Sequence, residues 1–218
     1  MIKAVIFDMD GVLLDSERLY RTHWLETGKY YGIEQEHMTI ICNRIAGGSS
    51  LHTKEVFAEE LGTDFPYEEM RKKVLDSMDA YISVHGIDVK PGIRELLAFL
   101  REQNVKIGLA TSTEQERATR NLMNANLLCY FDGCMFGDNV MNSKPAPDIY
   151  LAACETVGVS PKEAMGVEDS INGIFSCINA GMTAVMVVDL IQPTPEIRQK
   201  ADHIYESALQ IIEHWKEF

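Results

Sequence analysis

Two aspartates, Asp8 and Asp10, stand two residues apart and are followed at once by Gly11. The preceding residues, Ala4 to Phe7, form an apolar run that is typical of a buried strand. Alternate side chains of an extended segment point to the same side, so we expect the two carboxylates to share one face. Gly11 then permits a sharp exit of the chain. Such a pair can hold a cation, attack an electrophile or transfer a proton.

Further polar side chains follow other apolar runs or stand in loops ahead of helices: Thr111 and Ser112, Lys144, and Glu168 with Asp169. Ligands of open α/β sheets bind beyond the carboxyl ends of the strands, so these side chains are expected in one crevice. Up to four carboxylates there could not all stay ionised without a cation. Oxygen ligands at a partly hydrated site favour Mg²⁺.

A bound Mg²⁺ would let a dianionic phosphate approach this crevice. Thr111, Ser112, Lys144 and the backbone N–H groups at a helix start would bind its oxygens. One aspartate would attack phosphorus to form an acyl phosphate that water can hydrolyse. The other would donate a proton to the leaving group and later take one from water.

Each of these features alone has a common structural explanation. An Asp-x-Asp pair is usually a turn, and a Thr-Ser-Thr segment before a helix is usually an N-cap. Lys-Pro-x-Pro is normally a rigid turn, and Glu-Asp before a helix usually complements the helix dipole. Their occurrence together, in order at successive strand ends, favours the catalytic interpretation.

The elements that must position these residues can be read from the apolar pattern. Runs at 105–110, 134–136, 164–167 and 183–188 predict four further strands. A capping box at Thr113–Glu116 predicts a helix toward Asn124, and Gly158 is expected just past the end of another helix. This repeated β-α order predicts an α/β fold, a doubly wound, Rossmann-like parallel sheet.

Residues 16–86 interrupt that order with helical stretches, the clearest being Tyr67 to His85. We therefore predict an α/β core domain of residues 1–15 and 87–218. An all-helical cap domain of residues 16–86 is inserted into it. The linkers are expected near Asp15-Ser16 and residues 87–90.

The composition limits the partners of the chain. Its 218 residues are 46% hydrophobic and carry a net charge of −13. The sequence therefore lacks the excess of Lys and Arg that is typical of nucleic-acid-binding proteins. No signal-peptide pattern opens the sequence, and no apolar stretch is long enough to span a bilayer. Five cysteines without a C-x-x-C pair indicate thiols in a reducing compartment. We expect a cytoplasmic monomer that binds neither nucleic acid nor membrane.

Four segments resemble, in order, the four motifs of the haloacid dehalogenase superfamily: Phe7-Asp8-Met9-Asp10-Gly11-Val12-Leu13-Leu14-Asp15-Ser16-Glu17, Leu109-Ala110-Thr111-Ser112, Lys144-Pro145-Ala146-Pro147-Asp148 and Val167-Glu168-Asp169-Ser170-Ile171-Asn172-Gly173. By this resemblance Asp8 is the nucleophile and Asp10 the general acid and base. Thr111 and Lys144 would bind the phosphoryl group. Asp8, the backbone carbonyl of Asp10 and Asp169 would ligate Mg²⁺, with Glu168 assisting.

The helical insertion resembles the small cap of the branch that holds β-phosphoglucomutase and the sugar-phosphate phosphatases. In the mutase a histidine stands where this chain has Tyr20, and a lysine follows the second motif where this chain has Thr113-Glu114-Gln115. The mutase cap loop carries Lys and Arg around a glycine, whereas this chain has Ala46-Gly47-Gly48-Ser49-Ser50, with Arg44 as the nearest cation. The missing cations favour hydrolysis of a small phosphorylated metabolite, with a phosphosugar mutase as the alternative.

Four cap residues are candidates for substrate contact: Tyr20, Arg44, Gly47 and Gly48. A plain helix–helix connection explains the glycine loop equally well, and the aromatic residues His23, Trp24, Tyr30 and Tyr31 fit the core of a small helical domain. A phospho-acceptor switch resembling a response-regulator receiver is a remote alternative. Receivers carry the acceptor aspartate after the third strand, whereas here the acidic pair follows the first.

Overall fold

The computed structural model describes residues 1–48 and 50–218. The chain divides into two compact units. The core unit comprises Met1–Asp15 and Asp88–Phe218, and the helical unit comprises Ser16–Ile87. Ser49 of the glycine loop lies outside the described residues.

Six parallel strands form one sheet in the core unit, in the spatial order β3-β2-β1-β4-β5-β6. The strands are β1 Ala4–Phe7, β2 Lys106–Ala110, β3 Gly133–Met135, β4 Ala164–Glu168, β5 Thr183–Val187 and β6 His203–Tyr205. This is the order of a doubly wound α/β fold, so the predicted fold class is confirmed. All four residues of β1 are buried because β1 is paired on both edges and covered on both faces.

In the described residues, the helical unit contains four helices, α1 Ser16–Tyr30, α2 Gln35–Ile45, α3 Ser50–Leu61 and α4 Tyr67–His85. Helix α4 has the predicted bounds, and Gly86, at a φ of 78°, ends it by donating its N–H to the carbonyl of Ile82. Trp24 is fully buried at the centre of this unit, with ring centroids 4.8 Å from Phe57 and 6.4 Å from Tyr67. An aromatic core of this kind holds four short helices together.

The core unit adds six helices, α5 Ile93–Glu102, α6 Gln115–Asn124, α7 Asp148–Val157, α8 Ile171–Ala180, α9 Pro195–Lys200 and α10 Leu209–Glu213. Helix α5 buries Ile93, Leu96, Leu97 and Leu100, which lie on one face at helical spacing. Helices α7 and α8 pack against each other and against the sheet. Gly158 ends α7 in the left-handed conformation, as predicted.

Two features depart from the prediction. Helix α6 begins at Gln115 with no side-chain cap, so the capping box expected at Thr113–Glu116 is wrong. The hydroxyl of Thr113 instead donates to Asp10, in the turn after β1, as described below. Strand β6 is absent from the prediction because its residues, His203–Tyr205, are partly polar and mostly half-buried and so form no apolar run.

None of the helices in the described residues combines the length and apolar content needed to cross a membrane. All five cysteines are free thiols, and Cys42, Cys154 and Cys177 are buried.

Candidate active site

Three adjacent strands end at the same edge of the sheet and bring the predicted site residues together. In β1, Phe7 lies in register with Leu109 of β2 and with Val167 of β4. The residues that follow these positions therefore project beyond one edge. Asp8 is the first residue after β1, Thr111 the first after β2, and Glu168 the last of β4.

Lys144 joins all three of these strand ends. Its Nζ donates to Asp8 Oδ1 at 2.5 Å, to Glu168 Oε1 at 2.6 Å and to the carbonyl of Ala110 at 2.9 Å. All three side chains are buried. Burial alone would lower the pKa of Lys144, but the charges of Asp8 and Glu168 outweigh it and raise that pKa above its ordinary value. Lys144 therefore stays protonated at the site.

The Glu168 carboxylate is held by hydrogen bonds on both oxygens. Besides Lys144, the hydroxyl of Tyr150 donates to Oε1 at 2.9 Å. Oε2 accepts from the backbone N–H groups of Asp169 and Ser170, at 3.2 and 3.3 Å, and from the Ser170 hydroxyl at 3.1 Å. A Cβ atom on Gly173 would lie 1.8 Å from Glu168 Cδ, so a glycine is required there. These charge-assisted hydrogen bonds together fix the position of the Glu168 carboxylate, and with it the position of Lys144.

Asp8, Glu168 and Asp169 form a buried acidic cluster, with one carboxylate oxygen of each within 4.8 Å of the others. Burial raises the pKa of Asp8 well above its ordinary value; the charge of Lys144 opposes this rise, and the charges of Glu168 and Asp10 add to it. The donor set fits a divalent cation, because hard oxygen ligands are present and a cation would favour the ionised form of Asp8. These residues could therefore hold a metal ion.

Asp10 lies beside the loop that follows β2. The hydroxyl of Thr113 donates to Asp10 Oδ2 at 2.7 Å, and that of Thr111 lies 3.5 Å from the same oxygen. Thr111 Oγ1 in turn accepts from the backbone N–H of Thr113 at 3.1 Å. Ser112, between them, has an exposed side chain. The site thus pairs a buried carboxylate, Asp8, with a half-buried one, Asp10.

A family model described as haloacid dehalogenase-like hydrolase matches residues 5–187. The chain belongs to this family. The resemblance seen in the four sequence motifs is thereby confirmed, and the chain is an enzyme of a hydrolase family.

Relatives of this haloacid dehalogenase-like hydrolase include proteins named as phosphatases and proteins named as mutases. The phosphorylated carbohydrates phosphatase of Thermotoga maritima is 35% identical over 184 residues, which cover 84% of each chain. The beta-phosphoglucomutase of Bacillus subtilis is 30% identical over 229 residues, which cover 100% of this chain and 97% of that protein. The crystal structure of beta-phosphoglucomutase from Clostridium difficile has a TM-score of 0.79 at 27% identity, and covers 100% of this chain and 96% of that one.

The four cap candidates of the hydrolase lie in the helical unit. Both terminal nitrogens of Arg44 are hydrogen-bonded, one to Glu59 and one to Glu60. His52 packs over Gly48, where a Cβ atom would lie 2.5 Å from its ring. Gly47 has a φ of 62°. Arg44 is thus committed to an ion-pair cluster within its own unit.

The aromatic residues of the helical unit divide between its core and its surface. Tyr20 packs edge-on against the buried Trp24, with ring centroids 5.6 Å apart. His23 is buried and its Nδ1 pairs with the Ser77 hydroxyl at 2.9 Å. Tyr30 is 75% exposed. Tyr20, Trp24 and His23 therefore help to form the packed interior of the unit.

Three residues of the hydrolase contact the site without having been recognised from sequence: Thr113, Tyr150 and Ser170. A threonine or serine just before a helix has the same sequence context whether it caps the helix or contacts another strand. Tyr150 lies in the first turn of α7 among apolar residues, where a tyrosine usually signals only core packing. The position of Ser170 beside the acidic Glu168-Asp169 pair was the one available signal.

Proposed function

We propose that this hydrolase is an Mg²⁺-dependent phosphatase that hydrolyses a small phosphorylated metabolite, a sugar phosphate, through an aspartyl-phosphate intermediate. The observation that carries the proposal is the position of Lys144, whose ammonium contacts Asp8 at 2.5 Å inside a cluster of buried carboxylates. A fixed positive charge beside an attacking carboxylate offsets the repulsion between that carboxylate and an anionic phosphate.

In the first step Asp8 attacks phosphorus, and the bond from phosphorus to the leaving oxygen breaks. Asp10 donates a proton to that oxygen, so the dephosphorylated product leaves as a neutral alcohol. Lys144 and the Thr111 hydroxyl bind the phosphoryl oxygens, helped by Ser112 and the backbone N–H groups of the loop after β2. Asp8 then carries the phosphoryl group.

In the second step water attacks the phosphorus of the aspartyl phosphate. Asp10, now ionised, takes a proton from that water, and the bond between phosphorus and the Asp8 oxygen breaks. Inorganic phosphate leaves, Asp8 is again a carboxylate, and Asp10 is again protonated.

Mg²⁺ would be held by Asp8, the backbone carbonyl of Asp10 and Asp169, with Glu168 assisting, and would neutralise charge on the phosphoryl oxygens. The three buried carboxylates support this assignment because they supply oxygen donors, and the single ammonium of Lys144 does not balance three negative charges. The free state of all five thiols supports a cytoplasmic location. We retain the expectations of a monomer and of no nucleic-acid or membrane partner.

The test is a panel of phosphorylated sugars, nucleotides and small acids, assayed for phosphate release with and without Mg²⁺. We expect turnover of at least one sugar phosphate in the presence of Mg²⁺ only. Phosphorylation of the protein without turnover would instead indicate the receiver-like switch. Release of phosphate from none of the panel would contradict the proposal.

A β-phosphoglucomutase activity is the second candidate, since a relative of that name matches the whole chain. A mutase needs cations for a second phosphate, yet Glu114 follows Thr113 after β2, and Arg44 is engaged by Glu59 and Glu60. These contacts support hydrolysis. Incubation with β-glucose 1-phosphate and a trace of its bisphosphate decides between the two. Glucose 6-phosphate appearing faster than free phosphate would establish the mutase.

A further inference from the structure

Thr113 makes a short hydrogen bond to the Asp10 side chain. Its Oγ1 donates to Asp10 Oδ2 at 2.7 Å, whereas Thr111 Oγ1 lies at 3.5 Å from the same atom. A hydroxyl at 2.7 Å from a carboxylate oxygen is at the ideal length for a charge-assisted hydrogen bond. One oxygen of the Asp10 carboxyl is therefore fixed by a residue from a different strand end.

The backbone at Thr113 is itself held by the turn that follows β3. Gly137, in the turn after β3, donates its N–H to the carbonyl of Thr113 at 3.1 Å. A Cβ atom on Gly137 would lie 2.1 Å from the carbonyl oxygen of Ser112, so only glycine allows the two segments to approach this closely. Asp138 also accepts the backbone N–H of Gln115 at 3.2 Å. The turn after β3 thus holds the loop by hydrogen bonds at Thr113 and at Gln115.

We propose that Thr113 is a positioning residue for proton transfer by Asp10, an inference that rests on the proposed phosphatase function. Its hydrogen bond to Oδ2 sets the orientation of the carboxyl group and so the place of the other oxygen, Oδ1. Oδ1 gives its proton to the leaving oxygen as the bond from phosphorus to that oxygen breaks. It takes a proton from water in the second step. Thr113 itself gains and loses no proton.

A misplaced acid matters most when the leaving oxygen is a strong base. An alkoxide leaves only with protonation, whereas a nitrophenolate leaves readily without it. The value of kcat/KM reports the steps up to departure of the leaving group, whatever step limits kcat. A comparison of kcat/KM for an alkyl phosphate and for p-nitrophenyl phosphate therefore isolates the contribution of Asp10 as an acid.

The experiment uses the full chain with Thr113→Val, which keeps the shape of the side chain and removes the hydroxyl, and Thr113→Ser, which keeps the hydroxyl. We expect Thr113→Val to lower kcat/KM for the alkyl phosphate by about 10- to 10²-fold, because part of the acid contribution is lost. The kcat/KM for p-nitrophenyl phosphate should stay within about threefold of the wild-type value. That change is much smaller than the loss expected for the alkyl phosphate. Thr113→Ser should restore the alkyl phosphate value. The matched control is Thr156→Val, which should change neither value, because the Thr156 hydroxyl donates to the carbonyl of Ala152 in its own helix, at 2.8 Å.

An equal loss for both substrates in Thr113→Val, or a loss that Thr113→Ser does not restore, would overturn the positioning role and leave the phosphatase function standing. Thermal unfolding of each variant checks that the fold is kept. Should Thr113→Val not fold, Thr113→Ala is assayed in the same way, and the same outcomes decide. Absence of phosphate release by the wild type from both substrates would overturn the phosphatase function, and this inference with it.

Discussion

Gly11 lies so close to Asp169 that a Cβ atom on Gly11 would fall 2.2 Å from Asp169 Oδ2. Gly11 also has a φ of 82°, in the left-handed region that other residues adopt at a cost. The turn after β1 and the end of β4 therefore interlock at this point. The glycine of the first motif is needed both for its backbone conformation and for the position of a carboxylate in the acidic cluster.

We predict that Gly11→Ala displaces Asp169 and weakens Mg²⁺-dependent turnover by at least about 10-fold, the lower scale for disturbing a metal site. The matched control is Gly158→Ala, at a φ of 71° with no atom within 4 Å of the added Cβ. In both variants an alanine must adopt a left-handed backbone conformation, at a cost of about 1 kcal/mol. Only in Gly11→Ala does the added Cβ also clash with Asp169. Equal activities of the two variants, measured as phosphate release against Mg²⁺ concentration, would show that the clash has no catalytic consequence.

Asp8→Asn should abolish phosphate release, by more than about 10³-fold, because an amide does not attack phosphorus. The fold should persist, since Lys144 keeps its 2.6 Å contact with Glu168. Circular dichroism and a phosphate-release assay check the two expectations. Asp64→Asn, an exposed residue of the helical unit, is the control and should retain full activity. Near-wild-type turnover in Asp8→Asn would refute the aspartyl-phosphate mechanism.

Asp10→Asn should lower turnover of an alkyl phosphate by about 10²-fold or more, the usual contribution of general acid–base catalysis. The amide cannot give a proton to the leaving oxygen or take one from water. Steady-state kinetics on the best alkyl substrate measure the loss. Unchanged kinetics would rule out the acid–base role of Asp10.

Removal of divalent metal with EDTA should stop phosphate release, and Mg²⁺ should restore it. Mg²⁺ should also raise the thermal unfolding temperature, because a ligand that binds only the folded state stabilises it, by about 2.7 kcal/mol at 100 times its Kd. Asp169→Asn removes a carboxylate of the buried cluster and should lose most of this stabilisation. An Mg²⁺-induced shift in Asp169→Asn as large as that in Asp64→Asn would argue against Asp169 as a ligand.

The five thiols should differ in reactivity at pH 8. Cys129 is exposed and should be alkylated first. Burial raises the pKa of Cys134 to about 11, so about one molecule in 10³ carries the reactive thiolate there at pH 8, and labelling should rise about 10-fold for each pH unit up to 10. Peptide mass spectrometry after iodoacetamide treatment follows each site. Labelling of Cys134 at the rate of Cys129 would contradict the effect of burial.

The parts of the fold that the sequence predicts are those where burial leaves a strong pattern. Strand β1 was recognised because both of its faces are covered, which requires a continuous apolar run. Helix α4 was recognised to the residue because Pro66 precedes it and Gly86 follows it. Strand β6 begins with a histidine and is mostly half-buried, so it lacks the apolar run that a buried strand shows.

The site shows the same limit at the level of side chains. Residues after strand ends could be grouped, because the parallel arrangement brings those ends to one edge. The direction in which a hydroxyl points could not be predicted. Thr113 suits a helix N-cap and a contact with Asp10 equally well until the backbone is known. Nothing in the sequence indicates that Arg44 of α2 pairs with Glu59 and Glu60 of α3, which follow it by 15 and 16 residues.

The pairing of β1 on both edges has a consequence for the newly made chain. The helical unit is complete once residue 87 has been synthesised, whereas β1 must wait for β2 and β4. Ala164 of β4 pairs with Ala4 of β1 but follows it by 160 residues, a delay of roughly 10–30 s on the ribosome. Until β4 is made, one edge of the apolar strand has no partner. We therefore expect nascent chains that stop before β4 to aggregate or to need a chaperone, and to gain activity abruptly once Asp169 has emerged.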